Sequence, residues 1–204
     1  MKNLIIILSL ITLITSCKKN PTAKTISHYP NRIEFSKYEN TILLDFNSFD
    51  NFNELVDSLE NLKYLGKIST FQLKKGKTKY QFIAKTTFGN CSAPPMLKFK
   101  NIISLSSDSI LNTNYYIIDS LKSVLKRNLL NFGSIDSLSD SPKRLMISIT
   151  AEISELEPLL LKLFGAYDEI KSGSRDSLQL NIFFNRRLEI FPPVPKLPKI
   201  ESTK

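Results

Sequence analysis

The stretch RLMISITAEISELEPLLLKLFGAYDEIKSGSRDSLQLNIFF, residues 144–184, changes its hydrophobic period twice. A short apolar run gives way to Leu156, Leu159, Leu160, Leu163, Phe164 and Tyr167 at helical spacing, and an alternating run follows. Strand, helix and strand in that order constrain a chain more than any composition does. The helix has one wide apolar face, which must be buried against a sheet. A helix over 154–171 is long enough to carry the chain back across the sheet, so its flanking strands are expected to be parallel. They should be neighbours or have one strand between them. Leu156, Leu160, Leu163 and Tyr167 should face the sheet, with Lys162 and Glu169 outside. Ser154 and Glu157 fit a capping box, which places Pro158 in the first turn, where a missing N–H is tolerated.

The first half reads the same way. TILLDF (41–46) is a strand pattern, and NFNELVDSLENLKYLG (51–66) is a helix with Asn51 and Glu54 as its capping pair. KISTFQL (67–73) and KYQFIAKT (79–86) are strands around a Lys-Gly turn. Duplication of one unit and convergent patterning both fit this likeness. Between the halves, LKFKNIISL (97–105) alternates as a half-buried strand, with Leu97, Phe99, Ile103 and Leu105 on one face. DSLKSVLKRNLLNFG (119–133) is a helix with a stripe of Leu121, Val124, Leu125, Leu129 and Phe132, and a polar loop follows it. The expected fold class is α+β or α/β, a mixed sheet with about three helices packed on it.

The amino-terminal MKNLIIILSLITLITSCKKN has the layout of a signal peptide: Lys2, an apolar run from Leu4 to Ile14, small polar residues, then Cys17. The run is shorter than the roughly 20 residues needed to span a bilayer. Ile14-Thr15-Ser16-Cys17 resembles the lipobox of bacterial lipoproteins. That resemblance implies removal of residues 1–16, a lipid on Cys17 and attachment to a membrane. An ordinary signal peptide with a chance cysteine is the alternative. No aspartate follows the cysteine, where lipoproteins retained at the inner membrane often carry one. The resemblance therefore implies the outer membrane of a Gram-negative envelope, facing the periplasm. Residues 17–31 then form a tether, 32–95 a first α/β subdomain, 96–191 a second, and the proline-rich 192–204 a tail.

Chemistry is sparse. The only histidine, His28, falls in the expected tether, so a Ser-His-Asp triad has no rigid setting. With Cys17 assigned to lipid, Cys91 has no partner in the chain. Its readings are a buried inert thiol, an intermolecular disulfide and, last, a catalytic group. Glu152, Glu155 and Glu157 suit a helix N-terminus better than acid–base work. No metal site and no cofactor are expected. The net charge of +9 fits either a solvated surface or an acidic partner. Lys74, Lys75, Lys77 and Lys79 are the one dense cationic group. An exported protein is not expected to meet nucleic acid. A non-enzymatic binding or accessory role is expected, with an envelope hydrolase or transferase as the alternative.

Two further resemblances carry expectations. Across 102–195 the order strand, short strand, helix, strand, helix, strand, prolines resembles the periplasmic domain of the ExbD/TolR family. Leu111-Asn112 followed by Asp119-Ser120-Leu121-Lys122 is the nearest local match. It implies that fold, self-association as a homodimer, and an envelope protein or peptidoglycan as partner. The family's transmembrane helix with its proton-carrying aspartate has no counterpart here. Separately, Asp-Ser-Leu or Asp-Ser-Ile occurs at Asp57, Asp108, Asp119, Asp136 and Asp176. It resembles an O-glycosylation acceptor site of exported proteins and implies Ser109, Ser137 and Ser177 as acceptors on loops. The alternative is that Asp and Ser recur as turn and cap residues, with an apolar residue following by chance.

Overall fold

The computed structural model describes residues 25–86, 98–174 and 178–186. Nine strands form one mixed sheet in an α+β fold: β1 (Thr25–Tyr29), β2 (Thr41–Leu44), β3 (Ile68–Lys75), β4 (Thr78–Lys85), β5 (Ile102–Leu105), β6 (Ser109–Leu111), β7 (Tyr115–Ile117), β8 (Met146–Ile149) and β9 (Asn181–Phe184). The helices are α1 (Arg32–Ser36), α2 (Phe52–Tyr64), α3 (Leu121–Leu129) and α4 (Ile153–Ser172). The order across the sheet is β2-β3-β4-β9-β8-β5-β6-β7. On the edge of β4 away from β3, β1 pairs in parallel with Thr78–Phe82, and β9 pairs in parallel with Ala84 and Lys85.

Both strand–helix–strand units form as read. β8 and β9 are parallel neighbours, Met146 opposite Asn181, and β2 and β3 are parallel neighbours, Thr41 opposite Ile68. Phe164 of α4 packs on Tyr29, Tyr80 and Phe82, and Phe52 of α2 packs on Phe184. Since Ala84 lies opposite Ile182, these strand residues share one face, and α2 and α4 cover it together. α3 packs against α4. Leu156, Leu160, Leu163 and Tyr167 are fully buried, while Lys162 and Glu169 are exposed.

Several boundaries differ from expectation, each for a local reason. Residues 25–31 are not a tether: Thr25–Tyr29 is a strand, with Tyr29 in the core. His28 is thereby fixed, its ring 5.1 Å from Phe35 of α1. The expected subdomains meet in one continuous sheet, because β4 carries β3 on one side and β9 on the other. Of the expected strand 97–105, residues Phe99–Asn101 form a 3₁₀ turn, so Phe99 is exposed, and only Ile102–Leu105 pairs. Leu97 lies outside the described residues. α3 stops at Leu129, and Phe132 leaves the apolar stripe with a left-handed φ of 46°. The Ser154/Glu157 box does not form: α4 is capped at Glu152 without a side-chain bond, and Pro158 sits inside the helix. Pro158 and Ser154 are both exposed. The Ser154 carbonyl, deprived of its N–H by the proline ring, can therefore reach water. The cap on α2 does form. Asn51 Oδ1 accepts from Glu54 N at 3.0 Å, and Glu54 accepts from Asp50 N at 2.8 Å.

Candidate functional site

Among the described residues, the most organised irregular region is the loop between α3 and β8. It is held by side chains that sequence patterning leaves as ordinary polar residues. Asn131 is buried, and its amide donates to Ile135 O at 2.9 Å and Ser139 O at 2.8 Å. Its carbonyl oxygen accepts from Ile135 N at 2.8 Å. Asn128, on the last turn of α3, accepts from Ser139 N at 3.2 Å. From the turn before β5, Asn101 Oδ1 accepts from Ser139 Oγ at 3.0 Å and from Asp140 N at 2.9 Å. The loop is thus stitched to α3 on one side and to residues 98–101 on the other. Each bond satisfies a buried polar group that would otherwise destabilise the fold.

This scaffold presents two kinds of surface group. Phe99, Phe132 and Ile135 are large, apolar and at least half exposed. Phe132 holds a left-handed backbone conformation that a bulky L-residue seldom adopts, a local strain of the kind that clusters at ligand-contacting sites. Beside them, Lys98, Lys100 and Arg144 converge on Asp140, at 3.3, 2.5 and 3.7 Å. Asp136 lies 4.0 Å from Lys100 as a second carboxylate, so three cations against two carboxylates leave the cluster with one net positive charge. Such an arrangement can hold an apolar group beside an anionic one. It contains no nucleophile with a base to activate it.

The Lys100 ammonium beside Asp140 holds its carboxyl at about 2, below its ordinary 3.8. The folded value is the lower one. The stabilisation by this cluster is therefore present above pH 3.8 and is lost as pH falls toward 2. An NMR titration of Asp140 should show the low midpoint, and Lys100→Gln should move it up toward the ordinary value. An ordinary midpoint in the unsubstituted protein would mean that the cluster is not formed.

The sites named from sequence are not brought together. Cys17, Cys91 and Ser177 lie outside the described residues. Ser109 is in a strand, β6, between β5 and β7, with its hydroxyl 2.5 Å from that of Ser106, so it is not the loop serine expected. Ser137 is exposed in a turn. Glu152 and Glu155 sit at the start of α4, and Glu157 is exposed further along it. Tyr29, whose hydroxyl donates to Asp168 at 2.6 Å, is buried with Tyr80 and Tyr167. Burial first, and then Asp168, push all three phenols upward, so they stay protonated at neutral pH. Among the described residues no group of three or more His, Cys, Asp or Glu side chains is placed to hold a metal ion. No helix among them is long and apolar enough to cross a membrane.

Sequence reading passed over Asn101, Asn128, Asn131 and Ser139. Their only local signal is density: asparagine, serine and aspartate crowd the end of a helix, where such side chains bond nearby backbone. Compared with protein-family models, curated proteins and solved structures, the chain matches none. The ExbD/TolR resemblance over 102–195 therefore rests on element order and on the short match at Leu111-Asn112 and Asp119-Ser120-Leu121-Lys122.

Proposed function

We propose that this chain is a lipid-anchored, non-enzymatic binding protein of the cell envelope. Its α+β body offers the surface of residues 98–101 and 131–145 to another envelope component. The observation that carries the reading is the rigid mounting of exposed Phe99, Phe132 and Ile135 beside Lys98, Lys100 and Arg144. Apolar side chains held at fixed positions lose little entropy on binding, which favours recognition. The ITSC stretch supports the anchor. An accessory role of the ExbD/TolR kind is one form the binding could take. The partner is then an envelope protein or peptidoglycan, with self-association alongside.

The two parts are tested separately. Fatty-acid labelling and fractionation should find the chain on the membrane, and Cys17→Ser should remove the label. An unlabelled mature chain would end the anchor reading. For binding, envelope membranes and isolated peptidoglycan are each mixed with the protein. Phe132→Asp with Ile135→Asp should lower association about tenfold or more, as loss of one or two anchor side chains does. Tyr64→Asp, on the exposed end of α2, should change nothing. Equal binding by all three proteins would overturn the assignment of this surface.

A further inference from the structure

Strand β1 fixes where the amino-terminal segment leaves the body. Thr25 lies opposite Thr78, the first residue of β4 after the hairpin turn. The segment therefore departs beside the tip formed by Lys75, Gly76 and Lys77. The lysines that look merely dense in sequence are gathered there in space. Lys74 lies directly across from Lys79, a like-charge pair that weakens the sheet it sits in. Among the described residues, no ion pair is formed by Lys74, Lys75 or Lys79. Lys79 is in turn opposite Ile26 of β1, which is half exposed. One row across three strands thus reads Ile26, Lys79, Lys74. β5 and β8 run parallel to β4 through β9, but Ile102 and Met146 start level with Ile83, five residues along β4 from Thr78, so Lys98, Lys100 and Arg144 are set back from the tip.

We propose that this basic hairpin tip, with Ile26, docks on the anionic phospholipid surface that holds the Cys17 anchor. The inference rests on the lipoprotein reading for the anchor, and adds an orientation to it. Seven residues separate Cys17 from Thr25, eight steps along the chain, which reach at most about 26–29 Å. The tip is therefore held within one short span of the headgroups, and each lysine near such a surface gains a contact that multiplies binding about fivefold. Lysine stems and Ile26 supply the apolar part of an interfacial contact. The like-charge pair across β3 and β4, a cost in the isolated body, is relieved when phosphate groups lie between the ammonium ions.

The test uses the full chain reconstituted with vesicles of phosphatidylcholine, alone or with phosphatidylglycerol. Amide hydrogen exchange is followed at residues 74–79. Slower exchange is expected only with phosphatidylglycerol, and it should be lost at high salt. Combining Lys74→Gln, Lys75→Gln and Lys77→Gln should lower affinity for the anionic surface about 100-fold, again from roughly fivefold per lysine. Exchange that is the same in both vesicle types would overturn docking. Mass spectrometry of the same sample reports the lipid on Cys17 independently. Slowed exchange at the tip in a chain without lipid would leave the docking surface standing and remove the anchor.

Discussion

Replacing Phe164 by alanine is expected to lower the unfolding free energy by about 3–5 kcal/mol, the range for a fully buried aromatic ring removed from a core. The ring is completely buried. It stacks on Tyr29 at 4.6 Å and on Tyr80 at 5.1 Å, and meets the edge of Phe82 at 5.2 Å. Through it α4 is fastened to β1 and β4 at once. These strands cannot close over an alanine without moving β1, which is held along only five residues of β4. A domain of this size has about 5–15 kcal/mol in all, so one substitution removes a large fraction. Urea denaturation should show the midpoint fall with the slope unchanged. Lys162→Ala, on the outer side of the same helix, is the contrast. It breaks an ion pair to Asp119 at 2.7 Å between well-exposed groups, and should cost no more than about 0.5 kcal/mol. A loss under about 1 kcal/mol for Phe164→Ala would show that β1 is not packed on the helix layer.

That cluster marks how far sequence carries. The helix face of α4 was legible because Leu156, Leu160, Leu163 and Tyr167 recur every three or four residues over about three turns. The parallel pairing of β8 with β9 followed from the length of the crossover. β1 was not legible. TISHY is five residues long, is closed by Pro30, and pairs with a strand about fifty residues away. Its membership in the sheet depends on Tyr29 finding Phe164, a contact that no local pattern encodes. The ends of elements were misjudged where two local rules competed. Ser154 and Glu157 satisfy the spacing of a capping box, yet the chain already turns at Glu152, where Glu155 N bonds Glu152 O at 3.0 Å. The candidate site was hidden for a similar reason. Its apolar members, Phe99 and Phe132, had been assigned to the buried faces of neighbouring elements. Its scaffold is made of asparagines whose side chains turn inward, and inward-turned polar groups leave no periodicity.

Asn131→Ala should therefore act on the loop more than on the body. It removes three hydrogen bonds at once, and leaves the backbone N–H and C=O of Ile135 and the carbonyl of Ser139 without those partners. Each buried group left unsatisfied costs about 1–3 kcal/mol, while a group that can rotate to water costs far less. Ile135 is half exposed and can recover water, whereas Ser139 is fully buried and cannot. A loss of about 2–4 kcal/mol in total follows, concentrated in residues 131–145. Hydrogen exchange should accelerate there by at least tenfold and remain unchanged in β3, β4 and α4. The local effect distinguishes a stitched loop from a passive connection, since in the second case the substitution would leave exchange unaltered everywhere. Under the proposed binding role, association with envelope membranes or peptidoglycan should fall with it, although Asn131 is buried and would not itself meet the partner. Phe132 and Ile135 would still be present, but no longer held in place. If binding survives while the loop exchanges freely, then the apolar residues act without their mounting, and recognition by a rigid surface is the wrong account of this site.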